Sequence, residues 1–138
     1  MRGLRTLELR VHRSADNAEK VARFLAAHAK VSEVHWPFLE SHPQHALAKK
    51  QMKRCGGLIS IRIKSDDVSG VERFSDGLRR FLLAVSWGGY ESLQFPICAL
   101  AGPSGYNGDL PLDLVRLYVG LEDPELLIAD LEQALEKA

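Results

Sequence analysis

Apolar positions at the start of the chain recur in alternating steps of four and three: Leu4, Leu7, Val11, Ser14, Ala18, Val21 and Leu25. This is one stripe on a helix, and it predicts a helix from about Arg2 to about His28. Asp16 followed by Glu19 has the spacing of a capping box that would start a second helix there. The stripe keeps its phase across Ser14, which favours one continuous helix. A helix of that length protrudes from a small domain, so its first half is expected to pack against something more.

Further along, the pattern shortens. Val31–Trp36 alternates and is stopped by Pro37, which reads as a strand. Pro43–Lys53 reads as a short polar helix. Ile59, Ile61 and Ile63 alternate with Ser60, Arg62 and Lys64, the pattern of a half-buried strand. Asp66 or Asp67 caps a helix presenting Val68, Val71, Phe74, Leu78, Phe81 and Leu82. Leu83–Trp87 reads as a brief strand ending in Gly88-Gly89, and Leu93–Pro111 as loop, with turn signals at Pro96, Gly102-Pro103, Gly105 and Asn107-Gly108. Asp113–Gly120 is a strand. Asp123-Pro124 opens a closing helix with Leu127, Ile128, Leu131, Ala134 and Leu135 on its apolar face. The expected fold is α/β: a two-layer sandwich whose small, mostly antiparallel four-stranded sheet is covered by helices on one face and polar on the other.

Composition narrows the function classes. With 138 residues the chain suits one domain, residues 1–138, with a core that needs no staples. Eighteen basic residues balance eighteen acidic ones, so no overall field gathers nucleic acid or anionic lipid. No apolar run approaches the roughly 20 residues of a membrane span. Cys55 and Cys98 stand apart and read as reduced thiols of a cytoplasmic protein. Arginines among leucines in Met1–Arg13 suggest a transit peptide, against which stand Glu8 and the unbroken helical phase.

Two places carry candidate chemistry. Arg116 lies between Leu114 and Tyr118 on one strand face, opposite Val115, Leu117 and Val119. A guanidinium among large apolar groups is costly unless paired, and its planar fork suits a carboxylate or phosphate. The plain alternative is an edge arginine in water or bridged to a neighbouring carboxylate. Ser86-Trp87-Gly88-Gly89 sets a hydroxyl, a large ring and two glycines at a strand end, where backbone can approach a ligand or turn through the left-handed region. His35, His42 and His45 lack the further ligands a metal needs. Glu122, Asp123 and Glu125 are accounted for by the helix N-terminus they surround.

These segments form an ordered series. Arg2-Gly3-Leu4-Arg5-Thr6-Leu7, His42-Pro43-Gln44-His45 with Ala48-Lys49-Lys50-Gln51-Met52, Gly56-Gly57-Leu58-Ile59-Ser60, Ser86 to Leu93, and Val115-Arg116-Leu117-Tyr118-Val119-Gly120-Leu121-Glu122-Asp123 stand in register. Together they resemble the C-terminal domain of the cysteine/methionine-metabolism pyridoxal-phosphate enzymes, which include cystathionine β-lyase, γ-lyase and γ-synthase and methionine γ-lyase. The resemblance covers essentially the whole chain. It implies the small domain of the aspartate-aminotransferase fold type, joined by the helix of residues 1–28 to a large cofactor-binding domain. It further implies that Arg116 holds the substrate's α-carboxylate, that Ser86 helps hold it, and that Trp87 lines the same pocket. Tryptophan at this place is more typical of the β-lyases.

Two departures qualify the resemblance. Before the serine, several γ-acting members carry glutamate and some β-lyases tyrosine, which select the distal part of cystathionine; here stands Val85, which accepts no hydrogen bond from a distal ammonium. The family's cofactor lysine follows a Ser-x-Thr-Lys-like segment, and none of the seven lysines here sits in one. The resemblance therefore implies the substrate-carboxylate part of a carbon–sulfur lyase, cystathionine β-lyase-like, eliminating a thiol from a thio-amino acid. It implies pyridoxal phosphate in the full-length enzyme, none bound to this chain alone, and no catalysis by this chain alone. The implied partners are an amino-acid substrate, the large domain, and further copies in a homotetramer. A non-catalytic stand-alone or truncated domain, binding an amino acid or a protein, is the second reading.

Overall fold

The computed structural model describes residues 2–102 and 105–138; Met1 and Pro103, on which a start and a turn were expected, lie outside them. The apolar stripe forms α1 (Leu7–Ala27), led by a 3₁₀ turn over Arg2–Thr6. Helix α1 runs unbroken through Asp16 and Glu19, so no second helix starts there. Its stripe divides by environment. Ser14, Ala18, Val21 and Leu25 are buried, whereas Leu4, Leu7 and Val11 are exposed along the first turns.

Strand β1 (Val31–His35) follows, then α2 (His45–Gln51), β2 (Leu58–Ile63), α3 (Val68–Gly77), β3 (Leu82–Leu83), β4 (Leu93–Pro96), β5 (Leu114–Tyr118) and α4 (Pro124–Leu135). Caps mark two of the helix starts. The Asp67 carboxylate accepts from the Gly70 N–H at 3.0 Å, and Asp123 accepts from the Glu125 N–H at 2.9 Å ahead of Pro124.

The sheet has five strands in the order β1-β2-β5-β4-β3, one more than the pattern predicts. The additional strand is β4, four residues ending in Pro96 inside the stretch expected to be loop. So short a run carries almost no period-2 signal. Pairing is antiparallel except that β3 and β4 run parallel, so the sheet is mixed. The parallel pair follows from residues 84–92, which carry the chain back to the start of β3 before β4 begins. Helix α3 also ends earlier than its apolar pattern suggests. The buried Asp130 carboxylate accepts from the Arg79 N–H (3.0 Å) and the Arg80 N–H (2.7 Å), turning the backbone out of the helix.

Helices α1, α3 and α4 cover one face of the sheet. Their core with Ile59, Ile61, Ile63, Val115 and Leu117 includes Phe74, Leu127 and Leu131. Burial of this apolar area, at roughly 25 cal/mol per Å², drives the fold. The other face carries no helix. It presents Glu33, Ser60, Arg62, Phe95, Leu114, Arg116 and Tyr118, as the alternation along β2 and β5 requires.

Candidate functional site

Strand β5 is the central strand of the five, so Arg116 is not at an edge. Its register neighbours are Ser60 on β2 and Phe95 on β4. A second arginine, Arg62, lies on the same face and makes the comparison that matters. Arg62 donates to Asp113 through Nε (3.0 Å) and Nη2 (2.9 Å), and to Glu33 through Nη1 at 3.2 Å. Asp113 first, and Glu33 after it, raise the Arg62 guanidinium above its ordinary value. Arg116 has no such partner: among the described residues no carboxylate pairs with it, and its bond is a long one, 3.4 Å from Nη2 to the Ser86 carbonyl. Its remaining donors face the helix-free side. A planar fork so placed is ready for a bidentate anion.

Residues 84–92 supply the groups around it. They leave β3, fold over the helix-free face and return to β4. Gly88 takes φ +85°, the left-handed region that favours glycine. Ser86 meets Arg116 through its carbonyl. Trp87 is 65% exposed and leans over a groove of about 500 Å³ lined also by Leu7, Val11, Met52, Leu58 and Tyr118. Val85 is exposed and does not line that groove. The structure thus joins Arg116 to Ser86 through one carbonyl and puts Trp87 on the groove, whose lining includes none of Arg116, Ser86 and Val85.

Hydrogen bonds pin the segment to α1, to β5 and to the residues just beyond β5. Arg10 Nε donates to the Gly88 carbonyl at 3.3 Å, and the Tyr118 hydroxyl to the Gly89 carbonyl at 3.1 Å. The Leu121 N–H donates to the Tyr90 carbonyl at 2.9 Å. Ser92 donates twice to the Glu122 carboxylate. Glu122 therefore does more than sit near the N-terminus of α4. Its role has no signature in one-dimensional spacing, because its partner is 30 positions away. Gly120 is the part of this arrangement the sequence does flag. A Cβ there would run into the Tyr90 carbonyl oxygen and lie 2.7 Å from the Glu91 carbonyl carbon. On the other side, a Cβ on Gly57 would lie 2.7 Å from the Val119 carbonyl oxygen, so β2 and the end of β5 close up only with glycine. Ser14 Oγ donates to that same carbonyl at 2.5 Å, and Asn17 Nδ2 to the Gly120 carbonyl at 3.0 Å, fastening α1 to the end of β5.

The histidines stay apart from this site. His42 Nδ1 accepts from the Gln44 N–H, and His35 faces Glu33. Among the described residues no cluster of three or more His, Cys, Asp or Glu is placed to hold a metal.

Comparison with known proteins gives the family. The family described as Cys/Met metabolism PLP-dependent enzyme matches residues 1–136. The chain belongs to this family. A relative from Mycobacterium tuberculosis (strain ATCC 25618 / H37Rv) named cystathionine gamma-synthase is 46% identical over 137 residues, 98% of this chain and 35% of the relative. An L-methionine gamma-lyase from Fusobacterium nucleatum subsp. polymorphum is 43% identical, covering 99% of this chain and 36% of the relative. Among solved structures, metB from Corynebacterium glutamicum superposes with TM-score 0.88 at 44% identity, covering 98% of this chain and 35% of that one. A putative O-acetylhomoserine (thiol)-lyase from Campylobacter jejuni, with N'-pyridoxyl-lysine-5'-monophosphate, superposes with TM-score 0.84 at 36% identity, covering 98% of this chain and 30% of that one. The chain thus spans about a third of the length of the relatives it matches. Their names speak of γ-chemistry, where Trp87 led to the expectation of a β-lyase.

Members of the family are PLP-dependent. The residues of this chain do not by themselves fit that cofactor. Among the described residues no lysine lines the groove beside Trp87. Lys30 and Lys64 are turned to backbone carbonyls, Lys20 faces Glu125, and Lys49 lies over the Phe38 ring. What the helix-free face offers is a guanidinium held by one long bond to a carbonyl, and an apolar groove under Trp87.

Proposed function

We propose that this chain supplies the substrate-carboxylate-binding part of a PLP-dependent carbon–sulfur enzyme of cysteine and methionine metabolism. The observation that carries the reading is the contrast between the two arginines of the helix-free face: Arg62 is held by two carboxylates, and Arg116 by one long bond to a carbonyl. In this reading the Arg116 fork takes both oxygens of an amino acid's α-carboxylate, Ser86 flanks them, and Trp87 shields the pair from water. A desolvated charge pair gains strength, and a fixed carboxylate orients the rest of the substrate.

The groove between α1 and Trp87 is then the face against which a large cofactor-binding domain packs, with α1 and the 3₁₀ turn before it as the join. The exposed Leu4, Leu7 and Val11 support this, since they continue the buried stripe of α1 with nothing over them. The family reading also carries a cytoplasmic location and assembly into a homo-oligomer. No helix among the described residues is long and apolar enough to cross a membrane.

The relatives' names support reaction at the γ-carbon. Trp87 favours the second reading, β-elimination, and Val85 weighs against recognition of a distal ammonium by hydrogen bonding. Product analysis separates them. With a full-length protein that joins this chain to the large domain and is loaded with cofactor, L-cystathionine and water give cysteine, 2-oxobutyrate and ammonia by γ-elimination, and homocysteine, pyruvate and ammonia by β-elimination. Arg116→Ala should raise KM in either case, and turnover of no thio-amino acid at all would contradict both.

A further inference from the structure

Tyr118 stands two residues beyond Arg116 on β5, on the same face, and both reach the same segment. We propose that Tyr118 is a positioning residue for the carboxylate site, one that holds Ser86 and Trp87 in place while Arg116 engages its ligand; this rests on the reading of Arg116 given above.

The argument starts from how residues 84–92 are held. At one end the Ala84 N–H donates to the Gln94 carbonyl at 3.1 Å. At the other, Tyr90 and Ser92 are fastened to Leu121 and Glu122. Between these ends, Val85 to Gly89 form no regular structure, and Gly88 takes the left-handed conformation that a residue without Cβ adopts readily. Ordering each residue of such a stretch costs about 1–2 kcal/mol, so its position depends on tethers.

Three tethers reach it. The Arg116 bond to the Ser86 carbonyl is long, and a carboxylate arriving at Arg116 competes for the same guanidinium. The Arg10 bond to the Gly88 carbonyl is a solvent-exposed one, made by a long side chain at 3.3 Å. Tyr118 differs from both. Its side chain is only 5% exposed, its hydroxyl donates to the Gly89 carbonyl at 3.1 Å, and no step of anion binding calls on that hydroxyl. The ring is also confined: its Cε2 lies 3.0 Å from where a Gly57 Cβ would stand. A wedged ring fixes the hydroxyl, the hydroxyl fixes Gly89, and Gly89 fixes the turn that carries Ser86 and Trp87. Among these tethers it is the one that persists when the ligand arrives.

Tyr118→Phe keeps the ring and removes the tether. In a full-length protein that joins this chain to the large domain and is loaded with cofactor, it should raise KM for an amino-acid substrate roughly fivefold, leave kcat within about twofold, and leave the thermal midpoint nearly unchanged, as expected for one hydrogen bond acting on binding. Arg116→Ala is measured alongside. If Arg116→Ala raises KM and Tyr118→Phe does not, the positioning role is overturned and the carboxylate reading stands. If Tyr118→Phe lowers kcat and the thermal midpoint together, Tyr118 is structural only, and the proposal is likewise overturned. If Arg116→Ala leaves KM unchanged, it is the carboxylate reading itself that fails.

Discussion

Ser92 and Glu122 are joined twice: the Ser92 N–H donates to Glu122 Oε1 at 2.7 Å, and its hydroxyl donates to Oε2 at 2.8 Å. That hydroxyl also accepts from the Gly120 N–H at 2.9 Å. One carboxylate thus closes the segment carrying Ser86 and Trp87 onto the strand carrying Arg116. Ser92 is fully buried, so removing its partner leaves donors without water. Glu122→Ala should destabilise the fold by about 2 kcal/mol, read as a lowered urea midpoint at constant slope.

The backbone approach at Gly120 makes a second prediction. Because the obstacles to a Cβ include the Tyr90 carbonyl and the Glu91 carbonyl carbon, both main chain, no rotamer change relieves the overlap. Gly120→Ala should cost about 1–3 kcal/mol and displace residues 84–92 from β5. Urea unfolding measures the cost, and loss of protection of the Leu121 amide in hydrogen exchange reports the displacement.

Both cysteines are buried, and burial pushes each thiol above its ordinary value of about 8.5. At Cys55 the Gly56 and Phe38 backbone contacts oppose this in part; at Cys98 the charge of Glu72 adds to it. A thiol whose value is raised on folding contributes stability that is complete below the unfolded value and lost as pH rises through the folded one. As pH rises past the ordinary thiol range, the urea midpoint should therefore fall more steeply in the native protein than in a variant with Cys55→Ala and Cys98→Ala. Equal slopes would contradict the assignment.

The exposed groove predicts association. Leu7 and Val11 are each 45% exposed and, with Leu58 and Trp87, form a continuous apolar surface of the kind soluble monomers rarely leave uncovered. The 138-residue chain by itself should self-associate with rising concentration in sedimentation velocity, and Val11→Lys with Leu58→Lys should suppress it. Association unaffected by these changes would place the contact elsewhere.

How far the sequence carried the reading depends on the range of the interactions involved. Helix α1, β2 and β5 were legible because their periodicity is long or clean, and Arg116 stood out because it interrupts an apolar strand face. Strand β4 was not, since four residues ending in Pro96 carry too little pattern. Nor was the end of α3, which is set by the Asp130 carboxylate some 50 positions away. The same holds for Tyr118 and Glu122: their roles are hydrogen bonds to a segment about 30 positions earlier, which no local spacing displays. Arg62 stood among polar neighbours and Arg116 among apolar ones, and neither setting names a partner. Only the fold shows that one is paired and the other is not.

Recognition of an α-carboxylate by Arg116 is the central claim, and a comparison of substrates tests it most directly. In a full-length protein that joins this chain to the large domain and is loaded with cofactor, kcat/KM is measured for a thio-amino acid and for its α-carboxamide, which has the same shape and no charge, with native Arg116 and with Arg116→Ala. A charge-assisted bidentate pair predicts that the native protein prefers the acid by about 100-fold, or ~3 kcal/mol, and that Arg116→Ala removes most of that preference. The same preference in both proteins would contradict the account.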